Sequence, residues 1–278
     1  MTLAKTAAVM FTVMLCIGTP GAQALEKHGP VGNALNEKLG DVNFPVSCNP
    51  AARKEFNRAL ALFHSFWFDP AIKSFRTVLH HDPECGMAYW GIALMSLGNP
   101  FAWPPSAKAW EAGASNVTDA QRVGVKSERE RDYISALAAF FKDWETTDYR
   151  ARALAFEKAM EGLAARNPGD IEAKILYALV LNATAVPSDK TFANQHRAAN
   201  ILEPLFEKYP DHPGAAHYLI HTYDYAELAE KGLPAARAYA NIAPSVPHAL
   251  HMPSHIFSRV GLWHEMVQSN QASYAAAK

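Results

Sequence analysis

From Ala51 onward one short grammar recurs: apolar residues three and four apart, a small residue, and a proline twelve positions beyond it. Ala71, Phe75, Val78 and Leu79 run into Asp82-Pro83, and Ala198, Leu202 and Leu205 run into Pro210. Phe156, Met160 and Leu163 before Pro168 follow it more loosely, and Phe56, Leu60 and Phe63 form another stripe. Spacing of three and four puts these side chains on one face of a helix. The small residue lets a second helix approach closely, and the proline stops the helix before the next unit begins. A chain built this way is expected to be all-α, a row of helical hairpins.

Between the first and later units this register fails over residues 97–130, which are expected to form an irregular insertion. Asn99-Pro100-Phe101-Ala102-Trp103-Pro104-Pro105 reads as a stiff aromatic loop, either a connector or a lid over a neighbouring groove. Ser127 to Glu130 has the form of a capping box opening a helix through Ile134, Leu137, Phe140 and Phe141.

The stretch from Met1 to Ala24 has different chemistry. Lys5 carries its only charge, Ala7 to Gly18 is an uncharged, mostly apolar run, and Ala22-Gln23-Ala24 offers small residues for cleavage. That is the layout of an export signal, too short to serve as a membrane span. The expected organisation is a signal peptide over 1–24, an extended segment over 25–50 and the helical array over 51–278. No other stretch resembles a span, so a periplasmic or secreted protein is expected. Cleavage removes Cys16 and leaves Cys48 and Cys85, an even pair in an oxidising compartment. A disulfide between them would stabilise the fold by about 3–4 kcal/mol on the chain-entropy account; two buried free thiols are the other reading. Lys+Arg of 26 against Asp+Glu of 27 gives no electrostatic basis for nucleic-acid binding.

The helical grammar resembles tetratricopeptide repeat proteins, with degenerate repeats, and the likeness reaches across most of Ala51 to Lys278. It implies a solenoid whose concave groove takes a peptide, a protein or a small molecule. Gly261-Leu262-Trp263 resembles the corner of a last repeat, ahead of a final helix that either caps the solenoid or is cut short. Several strings, Leu62 to Trp67, Ala88 to Gly91, Asp211 to Gly214 and above all Pro247 to Phe257 (PHALHMPSHIF), look like a group of secreted bacterial tetratricopeptide proteins of undefined biochemistry.

Twelve histidines are present, and four are arranged with a period. His217 and His221 are four apart, as are His251 and His255, and the step from His217 to His251 equals that from His221 to His255. Four apart is one face of a helix. The step between the pairs matches one tetratricopeptide period. The pairs are therefore expected on the first helices of neighbouring units, aimed at one point. The resemblance further implies that His64, His212, His248 and Asp224 face the same groove. Neutral imidazoles suit zinc, copper or iron rather than calcium or magnesium. The expected ligand set is His217, His221, His251 and His255, with His64, His248 and Asp224 as additional ligands or proton carriers. Pro253 between the second pair threatens its geometry by removing a helical hydrogen bond. Tyr218 and Met252 stand where a zinc-protease helix needs glutamate, which excludes that chemistry. A polar recognition patch in a peptide-binding scaffold, without metal or catalysis, is the competing expectation. The sequence leaves open whether the chain is an enzyme.

Overall fold

The computed structural model describes residues 37–278, and the expected signal peptide lies outside them. All regular structure among the described residues is helical. The helices are α1 (Pro50–His64), α2 (Phe68–His81), α3 (Gly86–Met95), α4 (Ala107–Val123), α5 (Glu128–Phe141), α6 (Tyr149–Arg166) and α7 (Ile171–Ala183). After them come α8 (Ala193–Lys208), α9 (Pro213–Tyr223), α10 (Leu233–Ile242), α11 (Pro247–His251), α12 (Pro253–Arg259) and α13 (Trp263–Ala276).

Consecutive helices pair as hairpins: α1 with α2, α3 with α4, α5 with α6, α7 with α8, and α9 with α10; α13 pairs with α11 and α12 together. This is the all-α row of helical hairpins that the sequence grammar predicts. Several helix starts are set by side-chain caps. Asn49, Ser106, Asp148 and Asp170 each accept from backbone N–H groups of the first turn. Such a cap is worth about 1 kcal/mol. Ser127 and Glu130 form the expected reciprocal capping box at the start of α5. The lost register over 97–130 resolves into a long connector with a 3-10 turn at Pro100–Ala102, followed by α4, a regular partner of α3.

The array is not an open spiral. α1 touches α9, and the extended segment before α1 ties distant units together. Lys38 N–H donates to Ser245 Oγ, Asp41 N–H to the Asp211 carbonyl, and the Ser47 backbone N–H to Glu130 Oε1 at 2.7 Å. Cys48 and Cys85 are bridged as a disulfide, joining the lead-in of α1 to the start of α3. The core is aromatic: Phe44, Phe56, Trp90 and Tyr133 interlock with ring centroids 4.8 to 6.5 Å apart. No described helix is long and apolar enough to cross a membrane.

Candidate metal centre

Closure of α1 onto α9 brings the C-terminal end of α1 against the histidine-bearing face of α9. Two networks form there. The deeper one joins three helices through His64 of α1, Glu172 of α7 and His212, which caps α9. His64 Nε2 lies 2.9 Å from Glu172 Oε2, and His212 Nε2 lies 2.9 Å from Glu172 Oε1. His212 Nδ1 accepts from the Ala215 N–H, so its Nε2–H donates to the carboxylate. His64 Nδ1 is 2.9 Å from the Tyr218 hydroxyl. Burial pushes the Tyr218 pKa well above that of a free phenol, so this hydroxyl keeps its proton and donates it. Burial opposes ionisation of Glu172, yet His212 and His64 outweigh it and hold the carboxyl well below the usual range. All three are buried, and every ring nitrogen already has a hydrogen-bond partner. Their donor atoms are close enough to hold an ion, but the network is complete without one. His64 thus meets the second network through its backbone carbonyl, not its ring.

That carbonyl receives a 2.6 Å hydrogen bond from His217 Nδ1. With Nδ1–H committed, His217 Nε2 carries a lone pair, and it points at two other imidazoles. His221 Nε2 lies 3.1 Å away and His248 Nε2 3.2 Å away. One donor atom from each ring lies within 4.8 Å of the other two. His217 is fully buried, and the other two are half-buried. Burial is the largest influence on each and lowers all three pKa values, His248 to about 4, so the rings are neutral at pH 7. One lone pair therefore faces two neighbours, and the rings cannot fully satisfy one another. With metal–nitrogen bonds of about 2.0–2.1 Å, each of these two separations is one that a pair of ligands on a single ion could have.

Aromatic side chains wall this centre. The Phe66 ring sits against His217, His221 and His248, with centroids 4.5, 5.8 and 5.6 Å away. Tyr239 stacks on His217 at 5.1 Å and donates its hydroxyl proton to Ser65. Phe101, from the proline-rich connector, stacks on His221 at 3.9 Å and is 38% exposed. The connector thus reaches the centre and forms its outer rim.

His251 and His255 make a separate pair, with Nε2 atoms 3.1 Å apart. The break at Pro253 does not spoil it, because Met252 keeps helical angles (φ −53°, ψ −36°) between α11 and α12. Among the described residues this pair does not join His217, His221 and His248 in one close donor group. The structure thus divides the four expected ligands into two sets and places His248, expected as an accessory, in the first. Asp224 sits behind His255, accepting from its Nδ1 at 2.8 Å and from Arg259 Nε at 2.9 Å. Burial works against its charge, but these hydrogen bonds prevail and keep its pKa low.

Sequence reasoning missed Phe66, Tyr239, Glu172 and Asn270. Trp90 lies in the core, and Tyr225 accepts from Gln195 and packs on Phe192. Only the helical periodicity of the histidines carried a sequence signal strong enough to find the site.

No protein-family model matches the chain, and no curated protein matches it. Among solved structures it is similar to YrrB, described as a TPR protein with an unusual peptide-binding site. That likeness is 18% identical and covers 72% of this chain and 90% of that one, with a TM-score of 0.35. The helical-hairpin fold rests on the pairing of this chain's own helices.

Proposed function

We propose that the chain is an exported transition-metal-binding protein and that His217, His221 and His248 hold one ion. The observation that carries this is the His217 Nε2 lone pair facing two imidazole nitrogens at 3.1 and 3.2 Å. A cation accepts all three lone pairs at once, which no arrangement of the rings' own protons does. Three neutral nitrogens suit zinc, copper or iron. The hydrogen bond from His217 Nδ1 to the His64 carbonyl is the kind of support that fixes a ligating ring. A three-nitrogen set would leave a fourth position for water or a small ligand. The Cys48–Cys85 disulfide supports an oxidising compartment, in keeping with the signal-like stretch from Met1 to Ala24.

Equilibrium dialysis of the untagged chain against zinc and copper, followed by elemental analysis, tests the reading. Tight binding of metal is expected, with one equivalent lost in a His217→Gln/His221→Gln/His248→Gln variant that remains helical. Less than about 0.2 metal per chain after loading would overturn it. An affinity for extended peptides that survives in the same variant would then favour the scaffold.

A further inference from the structure

The pair formed by His251 and His255 has the same unresolved chemistry as the first centre. His255 Nδ1 is 2.8 Å from Asp224 Oδ2, a carboxylate that can only accept. His251 Nδ1 is 2.7 Å from Asn270 Oδ1. The Asn270 amide is oriented by its own Nδ2–H, which donates to the Met266 carbonyl at 2.9 Å, so the oxygen is the atom facing His251. Both rings therefore commit Nδ1–H backwards and turn Nε2 forwards. Two lone pairs 3.1 Å apart repel unless a cation lies between them.

Two candidates can fill that role, a proton or a metal ion. The supports behind the rings favour the metal. A carboxylate and an amide oxygen each fix one Nδ1–H, an arrangement that sets the tautomer and orientation of metal-ligating histidines. Ser269 Oγ donates to the Leu250 carbonyl at 2.5 Å and so clamps α13 onto the same turn. The pair also faces the first centre: the His221 and His255 ring centroids are 6.2 Å apart, and those of His248 and His251 are 6.1 Å apart.

We infer that His251 and His255 form a second transition-metal position, buttressed by Asp224 and Asn270 and adjacent to the His217–His221–His248 ion. This inference rests on the metal reading of the first centre. With two protein nitrogens, the second ion keeps more open positions than the first, so it is the weaker site and the one more accessible to an exogenous oxygen ligand.

The test is a titration of the untagged chain with Co2+, followed by visible absorption, with zinc competition and elemental analysis as independent counts. The wild type is expected to take two equivalents, the weaker absent in His251→Gln/His255→Gln. An Asn270→Ala variant keeps both ligands and is expected to weaken only the second equivalent, by about 10- to 100-fold. One equivalent in the wild type, unchanged in the double variant, would overturn the second site and leave a proton-sharing pair. No equivalents in the wild type, or no loss in His217→Gln/His221→Gln/His248→Gln, would instead overturn the first reading. Circular dichroism on each variant separates loss of a ligand from loss of fold.

Discussion

Phe66 and Gly214 show how single residues make room for the centre. Phe66 adopts a left-handed backbone, φ +52°, at the turn after α1. A bulky residue there costs about 1–3 kcal/mol, and its ring is held by three imidazoles together with Phe68 and Tyr218. Gly214, in the first turn of α9, lets the His64 ring approach so closely that an added Cβ would lie 2.5 Å from Nδ1. In an open helix Gly→Ala gains about 1 kcal/mol. Here the ring is held at both nitrogens by Tyr218 and Glu172 and cannot retreat. Gly214→Ala is therefore expected to destabilise the fold by about 1–3 kcal/mol in urea titration. A rise in stability would show that His64 is free to move.

Among the elements, α5 is anchored by its cap. Glu130 is buried, and accepts from the backbone and hydroxyls of Ser47 and Ser127. Burial raises its pKa, but these hydrogen bonds prevail and bring it below that of an ordinary glutamate. A depressed carboxylate contributes stability that is complete above its unfolded pKa and is lost as pH falls through the folded one. Glu130→Gln is expected to cost about 1–3 kcal/mol at pH 7 and to make the loss of stability from pH 5 to 3 shallower. Denaturant midpoints at several pH values measure both, and an unchanged acid slope would contradict this account.

The elements also show what sequence could reveal. Caps and helix pairs were legible because they are local: Ser127 and Glu130 are three positions apart, and Ala71 and Pro83 twelve. Pro253 does mark a boundary, the first residue of α12. The loss of geometry expected from it does not follow, because Met252 keeps helical angles between α11 and α12 and His251 still meets His255. His248 was undervalued for a related reason. Its place beside His217 comes from the docking of α11 on α10, which no spacing of four encodes. Glu172 and Phe66 reach their histidines through long-range closure, and Asn270 through the packing of α13 on α11, so periodicity was silent about them.

For the whole molecule, the decisive feature is the closure of α1 onto α9. It brings the His64 carbonyl onto His217 beside the His64–Glu172–His212 seam, while Ser269 ties α13 to α11. An ion held by residues of α9 and α11 would stabilise the folded state alone. Zinc at one hundred times its dissociation constant is expected to add about 2.7 kcal/mol to unfolding, read as a higher thermal midpoint. The same addition should leave the His217→Gln/His221→Gln/His248→Gln variant much closer to its metal-free midpoint.

Anomalous diffraction from crystals soaked in zinc at its absorption edge tests the central claim most directly. We expect a peak about 2.0–2.1 Å from Nε2 of His217, His221 and His248. Density at surface residues alone, with those three nitrogens still 3.1 and 3.2 Å apart around nothing but one another, would contradict it.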